Sequence, residues 1–193
     1  MQAQQQLTEK WMFLTKFLES PKSVGSVTPS SRFLTHKMLQ PIDWCKALAV
    51  AELGSGTGVF TRGIERRMRH DCQVVLFEQD PEMRRRLSVE FPAMLCRRDA
   101  RELTRDLQIT GIRSLDAVVS GLPFANFEQG LRDQILDEIV QALKPGGVFV
   151  TFQYSLQMRR QLREKFDRVE TAWVPLNFPP AFVYICRKSE GEA

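Results

Sequence analysis

From Ala47 the chain carries ALAVAEL, a continuous apolar run that stops at the glycine-rich GSGTG and gives way to an arginine-rich stretch with helical spacing. A run without polar alternation suits a strand covered on both faces. The unit recurs. CQVVLFE is followed by PEMRRRLSVEF, with Pro81 near a helix start, and AMLCRRDA and LDAVVSG are a third and a fourth strand. EQGLRDQILDEIVQAL sets Leu131, Ile135, Ile139 and Ala142 at helical spacing and is expected to stop at KPGG. GVFVTFQY is a fifth strand and LQMRRQLREKF another helix, after which VETAWVPLN and AFVYICRK read as two strands around an NFPP turn. This order predicts an α/β domain: a doubly wound, mostly parallel sheet of seven strands, closed by an antiparallel hairpin. Its ligand is expected at the carboxyl ends of the strands.

A chain of 193 residues, 43% hydrophobic and 26% charged, supports one domain with a sizeable core. The net charge of +4 permits contact with anionic lipid or nucleic acid and identifies neither. Cys45, Cys72, Cys96 and Cys186 are scattered, without a CxxC pair or a histidine cluster. No metal site or disulfide framework is expected, and a reducing cytosol fits best. Three of these cysteines lie in apolar strand patterns and read as small buried hydrophobes.

The polar opening MQAQQQLTEK does not read as a signal peptide, and no apolar run approaches the ~20 residues a membrane-spanning helix needs. Residues 1–46 are expected to form an N-terminal helical segment and lid, and residues 47–193 the core. Leu7, Trp11, Leu14 and Leu18 share a helical face widened by Phe13 and Phe17 and flanked by Lys10 and Lys16. That face suits either insertion at a membrane interface or packing over the domain. After a loop rich in Ser, Gly and Pro, Ser30 or Ser31 is placed to cap a helix over residues 32–40.

The first glycine turn, Glu52-Leu53-Gly54-Ser55-Gly56-Thr57-Gly58, lets the backbone turn tightly and meet a ligand closely. A dinucleotide fingerprint would need Gly or Ala where Val59 stands, and the phosphate-cradling GxxxxGKS or GxxxxGKT is missing. VAELGSGTGVF resembles motif I of class I S-adenosylmethionine-dependent methyltransferases, and the resemblance runs over about residues 47–188. It implies a Rossmann-like fold with S-adenosylmethionine as cofactor. Glu52 is implied near the cofactor's amino-acid part, and Gly54, Ser55 and Gly56 against its amino-acid and ribose portions. Glu78, closing the second strand, is placed to accept the ribose hydroxyls, with Gln79 beside the adenine. Asp99, with Ala100 after it, resembles the residue that meets the adenine amino group, although an acid there also suits a helix cap. Ser120, ending the fourth strand, completes the implied cofactor set. Asp106 and Asp116 read as ordinary solvent or turn acids.

Methyl transfer from a sulfonium needs a neutral acceptor, held in line, more than acid–base machinery. An amine with a pKa of about 10 must first lose a proton. Gly121, Leu122, Pro123 and Phe124, in SGLPF, are the catalytic turn of this reading. The carbonyls of Gly121 and Leu122 would hold an N–H, Pro123 would set the turn, and Phe124 and Phe127 would line the acceptor pocket unless they are core. Aromatic faces also tolerate methylated, cationic amines.

SVGSVTPSSRFLTHKML and VVSGLPF are similar to the soluble, single-domain bacterial phospholipid N-methyltransferases, distant relatives of the rRNA adenine dimethylases. That resemblance implies phosphatidylethanolamine or a related amino lipid at an anionic membrane surface, with the protein cytoplasmic and peripheral on the inner face of the plasma membrane. Ser30 and Arg32 are placed with the lipid headgroup, and Tyr154 with the acceptor. Lys37 offers a second phosphate partner, and His36 reads as a surface or packing residue. The chain departs from the dimethylases in lacking Asn and Tyr in the SGLPF motif and a helical RNA-binding domain. An RNA adenine methyltransferase and a cofactor-binding protein without catalysis stand as the alternatives.

Overall fold

The structure is a computed structural model that describes residues 29–191. The Leu7–Leu18 face lies outside the described residues, as do the side chains of Ser30 and Ser31. Seven strands form one sheet: β1 (Ala49–Leu53), β2 (Gln73–Phe77), β3 (Leu95–Arg97), β4 (Leu115–Ser120), β5 (Leu143–Gln153), β6 (Arg168–Val174) and β7 (Ala181–Arg187). Their order is β3-β2-β1-β4-β5-β7-β6. The first five pair in parallel, and β7 runs antiparallel to both β5 and β6, which gives the expected closing hairpin.

Among the described residues six α-helices cover the sheet: α1 (Pro29–Leu39), α2 (Val59–Glu65), α3 (Pro81–Glu90), α4 (Leu103–Thr110), α5 (Gln129–Ala142) and α6 (Arg159–Lys165). Alternate strand residues feed two cores. Ala49, Ala51 and Leu53 of β1 pack with Leu107 of α4, Ile139 of α5 and Leu162 of α6. Val50 faces the other way, with Leu39 of α1, Ile64 of α2 and Leu87 of α3. α1 and α2 approach closely at Gly63, where a Cβ would stand 2.6 Å from Leu39 and 2.8 Å from Thr35. Local signals set the helix ends. Asp80 accepts the Met83 N–H at 2.8 Å and Pro81 opens α3, as the sequence suggests.

Several boundaries differ from expectation. α1 starts at Pro29, so Ser30 and Ser31 fall inside the helix and not ahead of it. α4 has no clear signature in the sequence, because RELTRDLQIT is short and charged and the helix buries only Leu103 and Leu107. KPGG does not separate α5 from its strand: β5 begins at Leu143, with a register shift against β4 between Leu115 and Ala117. Neither Asp106 nor Asp116 is an idle surface acid. Asp106 is largely buried and 3.5 Å from Arg97. Asp116 accepts the N–H groups of Leu48 and Ala49 at 2.7 and 2.9 Å and pairs with Lys144. Of the cysteines, Cys72 and Cys186 are buried, Cys96 half-buried and Cys45 exposed, all as free thiols.

Candidate active site

The glycine turn after β1 and the end of β2 are built as one piece. Gly54 and Ser55 both donate to the Phe77 carbonyl, at 2.8 and 3.1 Å. Gly56 donates to Glu78 Oε2 at 2.8 Å, and Asp80 N–H donates to Oε1 at 2.9 Å. Glu78 is thereby held by two backbone N–H groups, each oxygen keeping a second acceptor position. Gln79, exposed, follows it. Gly54 and Gly56 adopt φ of +74° and +51°. A Cβ at Gly54 would lie 2.9 Å from Leu122, whereas at Gly56 it would meet nothing within 4 Å. One glycine thus closes the turn onto SGLPF, and the other faces open space beside Glu78.

Glu52 is fully buried and accepts the Thr61 hydroxyl on Oε2 at 2.7 Å, while its Oε1 has no partner. Burial raises its pKa to about 8. The Ser55 hydroxyl is likewise buried without a partner. Two orphaned polar atoms at one glycine turn, with the Glu78 acceptors, fit a ligand that carries an ammonium group and hydroxyls. Asp99 is more committed than expected. It caps the 3-10 turn that starts at Ala100, and Arg101 holds both its oxygens at 2.5 to 3.0 Å, which keeps its pKa below the usual range. An adenine contact there requires that Arg101 give way.

A cavity of about 220 Å³ opens beside this turn, lined by Gly121, Leu122, Pro123, Phe152, Gln153 and Tyr154, among others. Gly121 joins the two regions: a Cβ on it would lie 3.1 Å from the Gly54 carbonyl and 3.7 Å from Phe60. Phe60 and Phe152 have ring centroids 5.9 Å apart, and Phe152 and Tyr154 5.7 Å apart. Burial raises the pKa of the Tyr154 phenol, so at neutral pH it stays protonated.

The turn differs from its sequence reading in three respects. Phe124 and Phe127 do not line the cavity: both are buried, and Phe124 sits edge-on to Phe127 and Phe149 at 5.9 and 6.1 Å. The Leu122 carbonyl is already occupied by Phe124 N–H at 2.9 Å and Gln153 Nε2 at 3.0 Å. Ser120 is buried and turns inward, its hydroxyl accepting the Leu122 N–H at 3.1 Å. The Gly121 carbonyl accepts no hydrogen bond among the described residues. Arg32 lies exposed on α1 and outside the cavity lining. Sequence reasoning missed Phe60, Phe152 and Gln153. The available signal was Gln153 itself, a polar residue ending the apolar run GVFVTFQY at the carboxyl edge of the sheet.

A seven-stranded sheet with a reversed last strand, and a glycine turn joined to an acid at the end of β2, define a class I S-adenosylmethionine-dependent methyltransferase. Residues 50–147 match the methyltransferase domain family, and the chain belongs to that family. It is 37% identical to an ornithine lipid N-methyltransferase of Singulisphaera acidiphila, over 92% of this chain and 95% of that protein. Its fold is similar to that of the N-methyltransferase NodS from Bradyrhizobium japonicum WM9 in complex with S-adenosyl-L-homocysteine (TM-score 0.64, 14% identity, 84% of this chain and 89% of that one). It is also similar to the Burkholderia thailandensis 1,6-didemethyltoxoflavin-N1-methyltransferase (TM-score 0.67, 15% identity, 95% and 87%). S-adenosylmethionine is the cofactor.

Proposed function

We propose that the protein methylates the primary amine of an amino lipid, and that Gly121 holds that amine. The observation that carries this reading is the likeness to an ornithine lipid N-methyltransferase along nearly the whole of both chains. Phosphatidylethanolamine, the substrate expected from the sequence, shares the primary amine, and the proposal covers this class of headgroup.

In this reading Glu78 and Gln79 hold the ribose and adenine of the cofactor, Gly54, Ser55 and Gly56 its amino-acid and ribose portions, and Glu52 its ammonium end. When bound, the cofactor supplies an electrophilic methyl group. The Gly121 carbonyl accepts an N–H of the neutral amine and turns its lone pair toward the glycine turn. Phe60, Phe152 and Tyr154 give the headgroup an aromatic wall that tolerates positive charge. Tyr154, staying protonated, is no base, so the amine sheds its proton to water and turnover rises with pH.

The reading also places the protein peripherally on the inner face of the plasma membrane. Among the described residues no helix is long and apolar enough to cross a bilayer. Trp173, Leu176 and Phe178 are exposed on the β6–β7 hairpin. Phe182 pairs with both Trp173 and Gln153, so the hairpin tip stands at the same end of the sheet as the cavity. An apolar tip there suits contact with the lipid surface that presents the amine.

The test is transfer of labelled methyl from S-adenosylmethionine to vesicles containing phosphatidylethanolamine or ornithine lipid, with ribosomal RNA in parallel. Labelled lipid is the expected result. Labelled RNA with unlabelled lipid overturns the proposal.

A further inference from the structure

We infer that Gln153 is the positioning residue of the acceptor site: its side chain, reaching over from β5, supplies the carboxamide that SGLPF lacks. This deepens the function proposed above and rests on that reading of the turn.

Between Ser120 and Phe127 the backbone leaves β4 through an irregular bend into the 3-10 turn Phe124–Asn126, and its polar groups need partners where the segment is buried. β5 and the loop after it provide them. Thr151 Oγ1 donates to the Ser120 carbonyl at 3.2 Å. Gln153 Nε2 donates to the Leu122 carbonyl at 3.0 Å, and Gln153 Oε1 accepts the Ala125 N–H at 3.2 Å. Gln157 Nε2 donates to the Ala125 carbonyl at 3.1 Å. Gln153 therefore bridges both sides of Pro123 with one rigid amide plane, and it is 4% exposed. Among the described residues the Gly121 carbonyl, at the junction of glycine turn and cavity, accepts none of these bonds. By fixing Leu122 and Ala125, Gln153 fixes the direction in which the Gly121 carbonyl points. Its amide nitrogen is engaged with Leu122 and Thr151 and its oxygen with Ala125, so the role assigned to it runs through the turn.

The chemistry of the amide gives a discriminating substitution. Gln153→Glu keeps the size of the side chain. When protonated, the new carboxyl can donate to Leu122 and accept from Ala125; when ionised, it has no donor and sets a negative charge against the Leu122 carbonyl. Burial favours the protonated form at low pH.

The experiment measures kcat and KM with amino-lipid vesicles from pH 6 to 9, together with affinity for S-adenosylhomocysteine. Gln153→Ala should lower kcat on the order of tenfold to a hundredfold, the scale of a displacement of about 1 Å, with ligand affinity within about twofold. Gln153→Glu should lose kcat as pH rises, opposite to wild type. A Gln153→Ala enzyme with wild-type kcat, or a Gln153→Glu enzyme with the wild-type pH profile, overturns the inference. Wild-type protein inactive on both lipids defeats the proposed function instead. Hydrogen exchange at the Ala125 amide then decides the clamp: faster exchange in Gln153→Ala sustains it, and unchanged exchange overturns it.

Discussion

Gly56 and Glu78 lie 22 residues apart and are joined by one hydrogen bond of 2.8 Å, from a backbone N–H in the first glycine turn to the carboxylate that follows β2. This bond makes the glycine turn and the end of β2 a single unit. In the proposed function the carboxylate that receives the ribose hydroxyls also sets the curvature of the loop meant to meet the rest of the cofactor.

Glu78→Ala should therefore do more than remove one ligand contact. It frees Gly56 and Asp80 N–H together, and affinity for S-adenosylhomocysteine should fall by more than about tenfold by calorimetry. Gly56→Val should abolish binding, because it forces a β-branched residue to a φ of +51° and fills the open side of the turn. Unchanged affinity in both folded variants would remove this loop from the cofactor site.

Glu52, with its pKa raised to about 8, binds a proton in the folded state that it loses near the usual 4.5 when unfolded. The native state holds more protons between these values. Stability from this group is complete below about 4.5 and is lost as pH rises toward 8. Glu52→Gln should gain in Tm relative to wild type on going from pH 5 to pH 8, in the absence of cofactor. An ammonium group beside Glu52 favours its ionised form, so ligand binding at pH 7 should release a proton. Calorimetry in buffers of different ionisation enthalpy measures that release, which Glu52→Gln should abolish.

Phe124→Ala should act first on stability. The ring is fully buried against Phe127 and Phe149, and its loss should cost about 3 to 5 kcal/mol. Urea denaturation tests this. A variant of wild-type stability with lost activity would return Phe124 to the acceptor pocket.

Asp116→Ala should destabilise by about 1 to 3 kcal/mol, since two backbone N–H groups and Lys144 lose their partner. Burial pushes the Asp116 pKa upward, but these bonds outweigh it and leave the carboxyl below its ordinary value of 3.8. Its stabilisation is therefore present above that value and lost as pH falls through the lowered one. Acid unfolding of wild type and variant should converge at low pH.

The strands and the glycine turn could be read directly, because uninterrupted apolar runs such as ALAVAEL and a turn that requires positive φ are properties of contiguous residues. The position of Glu78 at the end of the second strand was legible for the same reason: it ends a run. The short, charged α4 was not, since its hold on the fold comes from Leu103 and Leu107 against a distant helix and sheet.

Side-chain direction at the acceptor turn was beyond any local pattern. SGLPF offers two carbonyls and an aromatic ring, and nothing within it tells that Leu122 is taken by Gln153, 31 residues on, or that Phe124 faces Phe149. Asp116 looks like a turn acid until the chain brings Leu48 to it from 68 residues away. Composition and period state which segments must be buried and in what conformation, because burial and backbone geometry act residue by residue. Which polar group meets which is settled by strand pairing and close packing between remote segments, and so it becomes visible when β4 and β5 lie side by side.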